Sequence, residues 1–326
     1  MQRRKYLDDK MELRKDYLLD RWVIISSSRG KRPHELIRNT AQTSEGVCFF
    51  CPGNENLTPN EIFRLPDGKG GWKVRVIPNK FAATDKSGKY KIETHNTYYT
   101  FSDAFGDHEI VVETPDHKKQ LADLSIKEIK DILDVYASRI MELSSVDGVK
   151  YVQVFKNSGY EGGTSLVHSH TQIISYNIIP TRVNEKVLAA KRFVSCPYCS
   201  IVDAEKKSDR RCFENNSFAA FTPYASRFNY EIWIVPKFHV TNITNLSNDQ
   251  MLDLSEILQK VLGKIGDVNF SYNFAMTYSP EGENLHFHIE VAPRIAIWAG
   301  FELGTDTIIN SVSPEDAAKW YRGELQ

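Results

Sequence analysis

Two stretches of eighteen residues decide how this chain folds: HEIVVETPDHKKQLADLS at residues 108–125 and YEIWIVPKFHVTNITNLS at residues 230–247. Each runs from a β-branched or aromatic segment through a histidine to a serine, and the spacing agrees, Glu109 to His117 and Glu231 to His239 both being eight residues. Each ends on a helix start signal, Ser125 with Glu128 and Ser247 with Gln250, pairs that form capping boxes. Apolar residues then recur at helical spacing: Ile129, Ile132, Leu133, Tyr136 and Ile140 in one case, Leu254, Ile257, Leu258, Val261 and Leu262 in the other. The flanking segments EIVVE, YEIWIV, YVQVF and YNFAM read as strands.

On either side of these stretches, the order of elements repeats over most of the chain. CFFC (48–51), VRVIPNKFAAT, YVQVFKNSG and LVHSHTQII in the first half answer to CPYC (196–199), FAAFTPYAS, YNFAMTYSP and NLHFHIEVA in the second. The spacing predicts an α+β fold made twice, each repeat a mainly antiparallel sheet with one crossing helix. It divides the chain into residues 1–185 and 186–326, with the boundary in the segment 180–195.

Each CxxC is matched to two distant histidines. The sets Cys48, Cys51, His117, His168 and Cys196, Cys199, His239, His286 supply two thiolates and two imidazoles apiece, the donors of a closed tetrahedral Zn²⁺ site. Two structural zinc ions are expected, with His108 a rival ligand in the first set and His288 a substitute for His286 in the second. Cys212 stands apart and reads as a small buried apolar side chain.

Composition narrows the functional classes. The 326 residues carry a formal charge of −1, with 41% hydrophobic and 25% charged residues, the balance of a globular domain rather than of a basic nucleic-acid binder. The charged first twenty residues contain no signal-like apolar run, and no stretch reaches membrane-spanning length, so a cytoplasmic protein is expected.

The chemistry concentrates in Ser165–Gln172. Read as a strand, it turns His168, His170 and Gln172 to one side, so one imidazole can hold metal while the next meets a ligand. The glycines of Gly159–Ser165 let backbone N–H groups approach a phosphate closely. A phosphate beside a neutral imidazole invites attack at phosphorus, which splits one displacement into two.

The His-x-His-x-Gln motif behind a Gly-rich loop and Ser165 resembles the histidine-triad superfamily, and more narrowly its galactose-1-phosphate uridylyltransferase family. RWVIISSSRGKRP (21–33), CFFCPGNE, VIPNKFAAT, TPDHKKQLADLS, YVQVFKNSG, EIWIVPKFHV and GFELGTDTIIN extend the resemblance to nearly the whole chain. It implies two histidine-triad-like repeats and a double displacement. His170 takes the nucleotidyl group of a UDP-glucose-type donor and passes it to a second sugar phosphate such as galactose 1-phosphate. It also implies that Gln172 hydrogen-bonds the phosphoryl oxygens without relaying a proton. Arg29, Arg32, Asn157 and Ser165 then fall near the phosphates, Asn79 near the nucleoside and Glu302 near the hexose hydroxyls, in a homodimer. Three departures stand out. The usual HPHGQ is HSHTQ here, the lysine expected before GFE is absent around Ala296, and the second half keeps two cysteines. These features resemble the ADP-glucose phosphorylase relatives, in which inorganic phosphate is the acceptor. A reading from another class, a non-catalytic zinc-built binding module, would need a basic surface interleaved with aromatics, which the sequence does not show.

Overall fold

The computed structural model describes residues 11–27, 29 and 46–325. In chain order the strands are β1 (Glu12–Lys15), β2 (Trp22–Ile25), β3 (Phe63–Pro66), β4 (Trp72–Pro78), β5 (Glu93–His95), β6 (Tyr99–Phe101), β7 (His108–Val112), β8 (Tyr151–Ser158) and β9 (His170–Tyr176). They continue with β10 (Arg211–Glu214), β11 (Phe218–Phe221), β12 (Ile232–Pro236), β13 (Tyr272–Thr277), β14 (His288–Pro293) and β15 (Ile308–Asn310). The helices are α1 (Ile126–Ser144), α2 (Thr181–Ala190), α3 (Pro197–Glu205), α4 (Asn248–Gly266), α5 (Gly300–Thr305) and α6 (Pro314–Tyr321).

The fold is α+β and mainly antiparallel, as the repeat requires. Ten strands form one sheet in the order β3-β4-β7-β9-β8-β13-β14-β12-β11-β10. The order reads the same from both ends, because β8 and β13 are equivalent strands of the two halves and pair antiparallel, Asn157 opposite Asn273. The sheet is thus continuous across the halves, and the boundary expected at residue 185 falls within α2.

α1 and α4 begin where their capping boxes place them. Glu128 N–H donates to Ser125 Oγ at 3.3 Å while Ser125 N–H donates to Glu128 Oε2 at 2.8 Å; Ser247 and Gln250 repeat this at 3.3 and 2.8 Å. The two helices lie against each other and bury every residue of their apolar stripes in one core shared with the sheet. That core also buries Cys212. A separate small sheet ties the ends of the chain together: β15 pairs parallel with β2, setting Ile309 opposite Ile24. Among the described residues, no helix is long and apolar enough to cross a membrane.

Candidate active site and metal centres

Both Cys2His2 sets assemble, with the ligand atoms of each lying within 4.8 Å of one another. In the first, Cys48 Sγ and Cys51 Sγ lie 3.5 and 3.6 Å from His168 Nδ1, and Cys51 Sγ lies 3.4 Å from His117 Nδ1. In the second, Cys196 Sγ and Cys199 Sγ lie 3.4 and 3.6 Å from His286 Nδ1. A tetrahedron with ordinary zinc–sulfur and zinc–nitrogen bonds has S···N edges of about 3.5 Å, so the residues fit the ion. The outer ring nitrogens are engaged as well. His168 Nε2 meets Thr114 O at 2.7 Å, His286 Nε2 meets Pro236 O at 3.2 Å, and His239 Nε2 meets Asn284 Oδ1 at 2.7 Å. These contacts leave Nδ1 as the ligand atom. Bound there, zinc would cross-link each CxxC turn to its sheet. The rivals lie elsewhere: His108 bonds Gln172, and His288 bonds Lys186.

β9 begins at His170 and carries Gln172. His170 Nδ1 sits 2.8 Å from the carbonyl of His168, so its proton is committed and Nε2 keeps the lone pair. Burial first, and the nearby Lys156 charge second, hold His170 below the usual histidine range and hence neutral. The ring is 7% exposed, and His170 lines a cavity of about 800 Å³. Asn157, Gly159, Thr164, Leu166 and Arg294 also line it. Gly159 turns the loop at φ +76°, where a Cβ would lie 2.1 Å from Ser271 Oγ, so the chain closes here only with glycine.

Gln172 is oriented by a residue the sequence reading assigned elsewhere. His108 Nδ1 accepts the Ala83 N–H at 3.2 Å, which leaves its Nε2 proton for Gln172 Oε1 at 2.8 Å. Asn79 Nδ2, itself a donor, lies 3.1 Å from the same protonated nitrogen and so packs beside the His108–Gln172 bond without adding to it; neither Asn79 nor Gln172 is among the residues lining the His170 cavity. Beyond Gln172, Ile174 and Tyr176 line a second cavity of about 570 Å³ together with Phe155.

Other candidates are placed less directly. Asn157 Oδ1 accepts from Asn273 at 2.8 Å, and Arg294, unflagged by any motif, bonds Asn273 Oδ1 at 2.8 Å from the opposite repeat. Ser165 is exposed on the loop between the cavity-lining Thr164 and Leu166 and is not itself among the lining residues. Arg29 is half-buried after β2 and is not among the cavity-lining residues; Arg32 lies outside the described residues. Glu302 caps α5, its Oε2 accepting the Ala299 N–H at 2.9 Å, and it too is absent from the cavity lining.

The second repeat holds a counterpart that is closed. His288 Nδ1 lies 2.9 Å from the His286 carbonyl, the geometry of His170, yet the ring is fully buried and stacks on Tyr198 at 4.8 Å. Lys186 of α2 donates to His288 Nε2 at 2.9 Å and is itself paired with Glu290, the residue equivalent to Gln172. The Nε2 lone pair left open on His170 is occupied on His288.

Comparison with known proteins agrees with this architecture. A family model described as "Galactose-1-phosphate uridyl transferase, N-terminal domain" matches residues 4–180. The chain is 34% identical to an ADP-glucose phosphorylase of Arabidopsis thaliana over 95% of this chain and 92% of that one. It is 30% identical to a galactose-1-phosphate uridylyltransferase of Thermotoga maritima over 96% and 98% of the two chains. The solved structure of the Arabidopsis thaliana ADP-glucose phosphorylase with bound ADP-glucose superposes with a TM-score of 0.83 at 32% identity, covering 97% of this chain and all of that one. With the matched repeats, the HSHTQ strand and full-length relatives in agreement, this chain belongs to the galactose-1-phosphate uridylyltransferase family of nucleotidyltransferases.

Proposed function

We propose that this protein is a nucleotide-sugar phosphorylase that forms a nucleotidyl intermediate on His170, with ADP-glucose as donor and inorganic phosphate as acceptor. The observation that carries the reading is the His170 ring: Nδ1 committed to a backbone carbonyl, Nε2 free, beside a cavity walled by the Gly159–Thr164 loop. Nε2 attacks the α-phosphorus, the bond to the sugar-phosphate oxygen breaks, and glucose 1-phosphate leaves with that oxygen. A phosphate oxygen then attacks the same phosphorus, the P–N bond breaks, and the nucleoside diphosphate leaves with His170 neutral again. Gln172 gives its amide N–H groups to the phosphoryl oxygens, because its carbonyl is taken by His108; an amide there has no proton to relay to water. Asn157 and the loop backbone hold the phosphates, and zinc at the two cysteine–histidine sets holds the scaffold.

The adenosine and phosphate assignment is supported by the 34% identity to the ADP-glucose phosphorylase, by HSHTQ in place of HPHGQ, and by the second CxxC. Hexose-1-phosphate uridylyltransferase, which the motifs alone put first, is favoured by the family model and by the 30% identical Thermotoga maritima enzyme. The protein should be incubated with ADP-glucose or UDP-glucose labelled in the α-phosphate, desalted, and chased with inorganic phosphate or galactose 1-phosphate. The proposal expects acid-labile label from ADP-glucose, discharged by phosphate and absent in His170→Gly. Labelling from UDP-glucose with discharge by galactose 1-phosphate would establish the uridylyltransferase instead. A chain that takes no label belongs to the binding-module class.

A further inference from the structure

The two residues that break the family's usual motif, Ser169 and Thr171, flank His170, and their hydroxyls meet on a single buried carboxylate. Glu113, at the end of β7, accepts Ser169 Oγ at 2.5 Å and Lys156 Nζ at 2.6 Å on one oxygen. Its other oxygen accepts Thr171 Oγ1 at 2.7 Å and the Tyr136 hydroxyl of α1 at 2.6 Å. The Lys156 ammonium completes its own set with Ser169 Oγ at 3.1 Å and the His170 carbonyl at 2.9 Å. Glu113 and Lys156 have side chains 0% and 1% exposed.

We propose that Glu113 and Lys156 are positioning residues for His170, acting through the hydroxyls of Ser169 and Thr171; the inference rests on the His170 reading above. Neighbours along an extended chain alternate faces, so holding Ser169, just before β9, and Thr171, its second residue, fixes the angle at which His170 stands between them. The main chain is held at the same point, Glu113 N–H donating to Ser169 O at 3.2 Å and Lys156 to His170 O. The grip also sets the His168 carbonyl, the acceptor that selects the His170 tautomer. Proline and glycine at positions 169 and 171 have no hydroxyl, so in this chain the motif and the ion pair form one unit: the hydroxyls satisfy the carboxylate, and the carboxylate aims the histidine. Nucleophilic attack needs that aim, since a displacement of about 1 Å costs on the order of a hundredfold in rate.

Thr171→Val removes the hydroxyl and keeps the shape; Thr171→Ser keeps the hydroxyl; Ser169→Ala is the companion. Single-turnover nucleotidylation at saturating ADP-glucose should fall about tenfold or more in Thr171→Val and Ser169→Ala, with affinity for ADP-glucose unchanged, and Thr171→Ser should recover to within about twofold. In parallel, long-range ¹H–¹⁵N spectra of the His170 ring should show one Nδ1–H tautomer in the parent and in Thr171→Ser, and an averaged pair in Thr171→Val. Parent-like rates, a loss of affinity that matches the loss of rate, or a serine variant as slow as the valine one would overturn the inference. Should the parent take no label, the proposed function fails, and the tautomer spectra still decide the positioning role: a single tautomer in Thr171→Val rejects it.

Discussion

Lys156→Met tests the energetics of the ion pair that holds the start of β9. The ammonium lies 2.6 Å from Glu113 Oε2, both side chains are essentially unexposed, and its three protons are spent on Glu113, Ser169 and His170. Methionine fills similar volume but leaves the carboxylate with three hydroxyl donors and no opposing charge. Stranding one member of a buried pair costs about 3–5 kcal/mol. The pair between Glu256 and Lys260 is nearly as close, 2.7 Å, but those side chains are 33% and 50% exposed. Lys260→Met should therefore cost only about 0.3–0.5 kcal/mol. The contrast should depend on pH. Burial raises Glu113, and the Lys156 charge with the hydroxyl bonds outweighs it, holding Glu113 below its ordinary value of 4.5. Its contribution in the parent is thus full above that value and lost as pH falls through the depressed one. Without Lys156, burial wins over the remaining hydroxyls and the carboxyl rises, so the deficit of the variant grows with pH and shrinks in acid. Urea unfolding of both variants at fixed zinc, at neutral pH and near pH 5, measures this. A neutral-pH cost below about 1 kcal/mol, in the range of a surface pair, would refute the account. So would a deficit that widens in acid, or a Glu113→Gln/Lys156→Met double variant that recovers none of the loss.

Two further outcomes are expected. Metal analysis should find two zinc ions per chain, Cys48→Ser and Cys196→Ser each losing one with a fall in thermal stability; a stable, metal-free parent would contradict the ligand sets. Gln172→His restores a ring where His108 now holds the amide, and should shorten the lifetime of the labelled intermediate in buffer while slowing transfer, because an imidazole can pass a proton to or from water. An unchanged lifetime would remove the reason given for glutamine there.

The doubled α+β plan, both capping boxes, the two apolar stripes and the two Cys2His2 sets are legible in the residues alone. Each of these is written in local chemistry: the period of a helix, a side chain that closes on its own backbone, a residue type that serves soft metals. Their partners follow from repetition, since two copies of one pattern constrain each other. The features that the folded chain adds depend on atoms brought together across long separations. The β8–β13 pairing that joins the halves and the β2–β15 pairing that joins the chain's ends have no local signature, because backbone pairing is sequence-tolerant. The choice of His286 over His288 rests on which of the two rings faces the sulfurs, and in the sequence they differ only by a two-residue step. His108 reads as a ligand among cysteines and histidines, and becomes the residue that orients Gln172 once β7 lies beside β9. Ser169 and Thr171 look like losses of proline and glycine until Glu113 and Lys156 close beneath them, for a buried charge declares itself only through the groups that satisfy it.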